Sequence, residues 1–372
     1  MVFVLMWLAA SAGAIHSYFD PLQRWKLSAP PSDLAVQPLL VYIPGLDGNN
    51  ASPFAQFPRL AEQFRVRVQE VCAEPSACEA SFEALVEDVA AYLREHGSTE
   101  HGNLVMGESM GGVVAAGVAV QHPELVSGLI LVNPATALSV MPDLQSDVRW
   151  MRHGRIPEAL FPLALFLKVG YKTFDANLFS SAVRDILVDK RMEKLRAEDP
   201  ELAAYYDLAL ESLVASISET KPSAFLRGRL AQLEQGCSIV EKQLASLQTP
   251  TLVIAGTADA LLLSSKEAAR LLRTIPICDV HLVEGAGHAG TLNQRIDLPG
   301  VVGRWVRKRN LPLTLPAELS PFGVAMGRPR VQHDAKVNTP QCVRDERTHR
   351  RKIENIPDTD RLTCRFFTAI HS

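Results

Sequence analysis

At 372 residues, with 47% apolar and 21% charged residues, the chain has the composition of a soluble globular protein with a sizeable core, in one large domain or two ordinary ones. A net charge of −3 supplies no basic field for nucleic acid. The six cysteines (Cys72, Cys78, Cys237, Cys278, Cys342, Cys364) are too sparse for a disulfide scaffold and lack the paired spacing of a zinc site. Cys72 and Cys78 could pair in an oxidising compartment; free thiols are the expectation.

In chain order, residues 1–15 are nearly all apolar, about half the length that crosses a bilayer as a helix. Ala10-Ser11-Ala12 and Ala12-Gly13-Ala14 both fit a small-x-small cleavage site, so residues 1–30 read as a targeting segment. No Lys or Arg precedes the apolar stretch, and a surface-docked helix or an arbitrary start of a longer gene product are the competing readings. Leu39-Leu40-Val41-Tyr42-Ile43 is a short β-rich run ending at Pro44-Gly45, a buried strand. Ser81 then caps a helix with its apolar stripe at Phe82, Leu85, Val86, Val89, Tyr92 and Leu93, closed by Gly97.

The most informative segment comes next. The strand Leu104-Val105-Met106 runs into Gly107-Glu108-Ser109-Met110-Gly111-Gly112, and a further apolar run over 113–120 reads as a helix ending near His122-Pro123. A G-x-S-x-G turn between a buried strand and a helix is a nucleophile elbow: the serine sits strained at the tip with its Oγ free, and the glycines avoid collisions that any Cβ would cause. Leu129-Ile130-Leu131-Val132 is the following strand. Continuously apolar strands alternating with helices predict an α/β fold with a mostly parallel sheet covered on both faces.

Between Asn133-Pro134 and Thr249-Pro250 no strand pattern appears. Helical stretches replace it, including 202–217 with Asp199 as cap and Pro200 at its first position. This predicts a helical lid inserted over residues 137–248 within a hydrolase domain spanning 31–310. The run 159–167 makes that lid strongly apolar; core packing explains such a run more often than ligand contact does, but it also suits an acyl chain. Strand–helix alternation resumes at 251–254, 265–272 and 280–283. Residues 311–372 lose the pattern, and from 321 onward they carry ten Lys and Arg against six Asp and Glu; a disordered, solvated tail is expected there.

A serine hydroxyl becomes a nucleophile only when a histidine takes its proton, and an acid must hold that histidine in the right tautomer. On this architecture the chain order is Ser, acid, His. Asp259 follows the 251–254 strand, and His288 sits in Gly285-Ala286-Gly287-His288-Ala289-Gly290 directly after the 280–283 strand. His281 lies within a strand, His122 at a helix end, and His96 and His101 flank a loop before the nucleophile strand; Asp279 begins the last strand, at the wrong end of the sheet. Two backbone donors are expected for an oxyanion: the Met110 amide after the nucleophile, and the Leu46 amide in the loop Pro44-Gly45-Leu46-Asp47-Gly48-Asn49. Asp47 is expected to shape that loop. No phosphate loop, dinucleotide fingerprint or metal triad is visible, so no cofactor is inferred.

Pro44-Gly45-Leu46-Asp47-Gly48, Gly107-Glu108-Ser109-Met110-Gly111-Gly112 and Asn133-Pro134-Ala135-Thr136 together resemble the plant and algal esterase/lipase/thioesterase group of α/β-hydrolases, which includes phytyl ester synthases and diacylglycerol acyltransferase-like proteins. The resemblance runs from about Pro38 to about Asp297, and it places nucleophile, acid and base on Ser109, Asp259 and His288. It implies an α/β-hydrolase fold, a lipid or acyl-ester substrate, and a plastid location, with the secretory pathway or a soluble intracellular location as alternatives. Members of that group usually continue into an acyltransferase-like module with an H-x-x-x-x-D motif. In this sequence no His is followed five positions later by Asp, so the chain resembles the hydrolase module alone. The expected function is acyl-ester hydrolysis or acyl transfer through Ser109; a small-ester hydrolase and a catalytically silent binding module are the alternatives. Peripheral membrane contact and oligomeric state stay open.

Overall fold

A computed structural model describes residues 15–28, 37–165, 167, 190–218, 221–289, 291 and 296–313. Residues 1–14 of the expected targeting segment lie outside these residues, whereas 15–28 are described and supply a strand, Ser17–Phe19, and a short helix, Pro21–Arg24; the expected tail falls almost wholly outside.

Seven strands form one sheet: β1 (Ser17–Phe19), β2 (Leu39–Ile43), β3 (Arg65–Glu70), β4 (Asn103–Glu108), β5 (Gly128–Val132), β6 (Thr251–Gly256) and β7 (Cys278–Val283), in the order β1-β3-β2-β4-β5-β6-β7. All pairings are parallel except β1 with β3. This is the α/β-hydrolase fold. The central strands are apolar without interruption because both faces are covered. Leu39, Val41 and Ile43 of β2 enter one core cluster with Val105, Leu129, Leu131 and Val253, while Leu40 and Tyr42 enter the opposite one with Leu104, Met106, Ile130 and Ile254.

Local signals act where expected. Ser81 caps the helix Phe82–His96, its Oγ accepting the Ala84 N–H at 3.1 Å. Asp199 does the same for Leu202 at 2.9 Å, ahead of the helix Pro200–Ser218. Cys72, Cys78, Cys237 and Cys278 are free thiols.

Two features differ from the sequence reading. The first is the pair β1 and β3, which that reading passes over. β3 alternates half-buried Arg65 and Arg67 with buried Val66 and Val68, so it lacks the continuous apolar run of a central strand. The second is the extent of the inserted helical block. The helix Ser223–Gln243, assigned to the lid, packs instead on the helices Phe82–His96 and Met110–Gln121 within the core. Its Phe225, Leu226, Leu230, Leu233, Cys237 and Val240 join Phe82, Val113 and Val114 in one core cluster. A Cβ on its Gly236 would strike the Phe82 ring, so the contact is close. Of the helices upstream, Pro142–His153 and the short Phe161–Leu165 precede it in the insertion. Phe161 is buried there, whereas Leu160, Leu163 and Leu167 are about half exposed.

The parallel register places the carboxyl ends of the central strands side by side. Ile43 pairs with Gly107, Glu108 and Ile254 both pair with Val132, and Gly256 pairs with Val283. The loops leaving these strands carry Gly45, Ser109, Asn133, Asp259 and His288, which meet at one edge of the sheet, as open α/β sheets arrange their sites.

Candidate active site

Ser109 stands between β4 and the helix Met110–Gln121 with φ 55° and ψ −117°, a conformation that costs an L-residue roughly 1–3 kcal/mol. Three hydrogen bonds hold it there. Its N–H donates to the Val132 carbonyl at 2.9 Å, and its own carbonyl accepts from Gly112 and Ala135, both at 3.1 Å. The flanking glycines are obligatory. A Cβ on Gly107 would run into the backbone of Gly111, and one on Gly111 into the Ile43 and Pro44 carbonyls.

His288 reaches the serine from the loop after β7. Its Nε2 lies 3.0 Å from Ser109 Oγ, and its Nδ1 lies 2.9 Å from Asp259 Oδ2. With Nδ1 donating to a carboxylate, Nε2 is left as the acceptor facing the hydroxyl. Asp259 is itself fixed: Oδ1 accepts from the Leu261 and Leu262 amides at 2.9 and 3.1 Å, and Oδ2 accepts from Ser264 Oγ at 2.5 Å. Burial would push the Asp259 carboxyl up, but the His288 bond and charge, with Ser264 and the Leu262 amide, hold it below the ordinary aspartate value. Burial would likewise push His288 down; the Asp259 bond, helped by the Asp259, Glu108 and Asp47 charges, raises it above the ordinary histidine value. The group can therefore accept a proton more readily than a free imidazole.

Two supporting residues lie within motifs quoted from the sequence but have no role assigned there. Asn133, fully buried with φ 41°, reaches from the end of β5 into the histidine loop. Its Nδ2 donates to the Gly287 and His288 carbonyls at 3.2 and 2.6 Å, and its Oδ1 accepts the Gly256 N–H at 2.8 Å. One carboxamide thus ties β5, β6 and the His288 loop together. The available signal was an Asn directly after a strand, a residue type that tolerates left-handed backbone. Glu108, directly before the serine, is the second. Its buried carboxyl accepts from Tyr42 and Thr291 hydroxyls, each at 2.7 Å, and so links the elbow to the far side of the histidine loop. Burial raises its pKa against the pull of those donors.

The loop expected to supply an oxyanion donor lies beside the serine: a Cβ built on Gly45 would stand 3.6 Å from Ser109 Cβ. Asp47 Oδ1 accepts the Asn49 N–H at 3.2 Å, and Asn49 Oδ1 accepts that of Ala51 at 3.0 Å, a pair of local turns that shapes the loop. Met110 opens its helix, so its N–H has no acceptor one turn back and lies at the positive end of the helix dipole. The competing residues are elsewhere. Asp279, at the opposite end of β7, accepts from Trp305, Lys308 and Arg309, and His122 pairs with Glu87 at 3.1 Å.

Against known proteins, the sequence profile described as "alpha/beta hydrolase fold" matches residues 38–293. The chain is 28% identical over 270 residues to phytyl ester synthase 1, chloroplastic, of Arabidopsis thaliana, covering 71% of this chain and 36% of that protein. It is 24% identical over 274 residues to phytyl ester synthase 2, chloroplastic, of the same plant, covering 71% and 37%. The chain thus spans little more than a third of the length of these relatives. Among solved structures, a hydrolase from Pseudomonas aeruginosa PA01 is similar in fold, with a TM-score of 0.52 and 20% identity over 78% of this chain and 98% of that one.

Proposed function

The chain belongs to the alpha/beta hydrolase fold family, and on that premise we propose that it cleaves or transfers the acyl group of a lipid ester through a covalent intermediate on Ser109. The observation that carries this reading is the unbroken line from Ser109 Oγ through His288 to Asp259, at 3.0 and 2.9 Å. Ser109 Oγ bonds to the acyl carbonyl carbon as its proton passes to His288 Nε2. The carbonyl oxygen becomes an oxyanion that the Leu46 and Met110 amides are assigned to receive. The intermediate collapses, the C–O bond to the alcohol breaks, and the departing oxygen takes the proton from His288. Water or a second alcohol then gives its proton to His288 and attacks the acyl-serine; the second intermediate collapses, the bond from the acyl carbon to Ser109 Oγ breaks, and His288 returns the proton to that oxygen. General-base help of this kind supplies roughly 10²–10⁴ in rate, and each oxyanion donor on the order of 10²–10³.

A long acyl chain, and a long-chain alcohol such as phytol as acceptor, are supported by the two relatives named phytyl ester synthases. The half-exposed Leu160, Leu163 and Leu167 of the inserted segment give further support, because an acyl tail needs apolar surface to lie on. Plastid location is part of the same proposal, supported by the chloroplastic designation of both relatives. The test is a fluorophosphonate probe followed by an ester series. Wild-type protein is expected to label and Ser109→Ala to stay unlabelled, with longer p-nitrophenyl esters turned over faster than acetate. Labelling that persists in Ser109→Ala would overturn the assignment of the nucleophile, and a preference for acetate would overturn the lipid substrate.

A further inference from the structure

Arg229 lies on the helix Ser223–Gln243 and is only 3% exposed. A guanidinium keeps its charge in almost any protein setting, so burying one is costly unless its donors are well used. Burial lowers its pKa to about 10, with the Asp47 and Cys78 groups opposing the shift. Its donors go to the loop beside the serine: Nη2 donates to the Gly45 carbonyl at 2.9 Å, and Nε approaches the Leu46 carbonyl at 3.5 Å. The Gly45 carbonyl also accepts the Gly48 N–H at 3.2 Å.

The direction of that carbonyl has a consequence for the next amide. The Gly45–Leu46 peptide is trans, and in a trans peptide the C=O and the following N–H point opposite ways. A cation anchoring the Gly45 oxygen on the helix side therefore turns the Leu46 N–H away from that helix. A donor on the carbonyl also polarises the peptide and strengthens its N–H as a donor.

We propose that Arg229 is the positioning residue of the oxyanion hole, fixing the orientation of the Leu46 N–H from behind. This rests on the reading of Ser109 as nucleophile and Leu46 as oxyanion donor. It adds a cause for the loop geometry and assigns a function to a buried charge that a purely structural contact leaves without purpose. It also accounts for the firm packing of Ser223–Gln243 on the helices Phe82–His96 and Met110–Gln121, which delivers a fixed guanidinium to this loop.

The experiment uses the full-length chain as wild type, Arg229→Met and Arg229→Lys. It measures kcat and KM on a long-chain p-nitrophenyl ester, and inhibition by a trifluoromethyl ketone, whose hemiketal oxyanion occupies the hole. Binding of the matching ether, which cannot form an oxyanion, serves as a ground-state reference. Arg229→Met is expected to lower kcat by about 10–10² and weaken the ketone by a similar factor, with KM and ether binding within about threefold. Arg229→Lys, which keeps a charge but not the two-atom contact, should fall between. Should Arg229→Met fail to fold, Arg229→Lys alone decides, with about tenfold losses in kcat and ketone affinity expected. A folded variant with wild-type kcat and ketone affinity overturns the proposal alone, as does a loss shared equally by ketone and ether. A wild-type protein that neither turns over the ester nor binds the ketone overturns the hydrolase reading and this proposal with it.

Discussion

Replacing Asn133 by Ala removes three hydrogen bonds at once from the support of the base. The Gly256 N–H and the Gly287 and His288 carbonyls lose partners at 2.8, 3.2 and 2.6 Å, in a place with no exposure. Each buried polar group left unpaired costs roughly 1–3 kcal/mol, and water entering the space left by the carboxamide offsets part of the total. Alanine also tolerates the left-handed backbone at 133 less well than asparagine, by about 1 kcal/mol. The expected destabilisation is about 3–5 kcal/mol, a large share of the margin of an ordinary domain. At about 2–4 °C per kcal/mol, the Tm should fall by roughly 6–20 °C. Activity should fall further than stability explains, because a base displaced by about 1 Å can lose on the order of 10² in rate. The assay is kcat on a p-nitrophenyl ester at a temperature where circular dichroism shows both proteins folded. Wild-type kcat together with an unchanged melting curve would refute the idea that this carboxamide positions His288.

Two further outcomes follow from the site's electrostatics. Because the His288 pKa is raised in the folded protein, and only neutral imidazole can accept the serine proton, kcat/KM should rise with pH through a midpoint above 6.5. A midpoint at or below that value in a kcat/KM profile would contradict the Asp259 and Glu108 contributions. Thr291→Val removes one of the two hydroxyl donors to the buried Glu108 carboxyl; it should cost about 1–3 kcal/mol in urea denaturation, whereas a loss under about 0.5 kcal/mol would show that Tyr42 alone satisfies Glu108.

Much of the core and the candidate site could be read from local sequence because the physics there is local. A strand buried on both faces must be apolar throughout, and a sharp elbow must have glycines where a Cβ would collide, so residues 104–112 announce themselves. Asp259 and His288 were found by position, each just past a strand end. The parts that escaped depend on partners distant in sequence. β3 carries an alternating pattern because it lies towards the edge of the sheet, and Ser223–Gln243 has helical periodicity whether it packs on core helices or covers a pocket. Only tertiary packing shows which. Asn133, Glu108 and Arg229 each act through groups between 66 and 184 positions away, and no spacing rule reports such contacts.

The central claim is that an acyl group resides on Ser109 during turnover. The most direct measurement is rapid acid quench of wild-type protein with a long-chain p-nitrophenyl ester, followed by mass analysis of the peptide bearing residue 109. An added mass equal to the acyl group on Ser109, absent from Ser109→Ala, is the predicted result. Steady turnover with no acyl mass on that peptide, or the same mass on another residue, would contradict it.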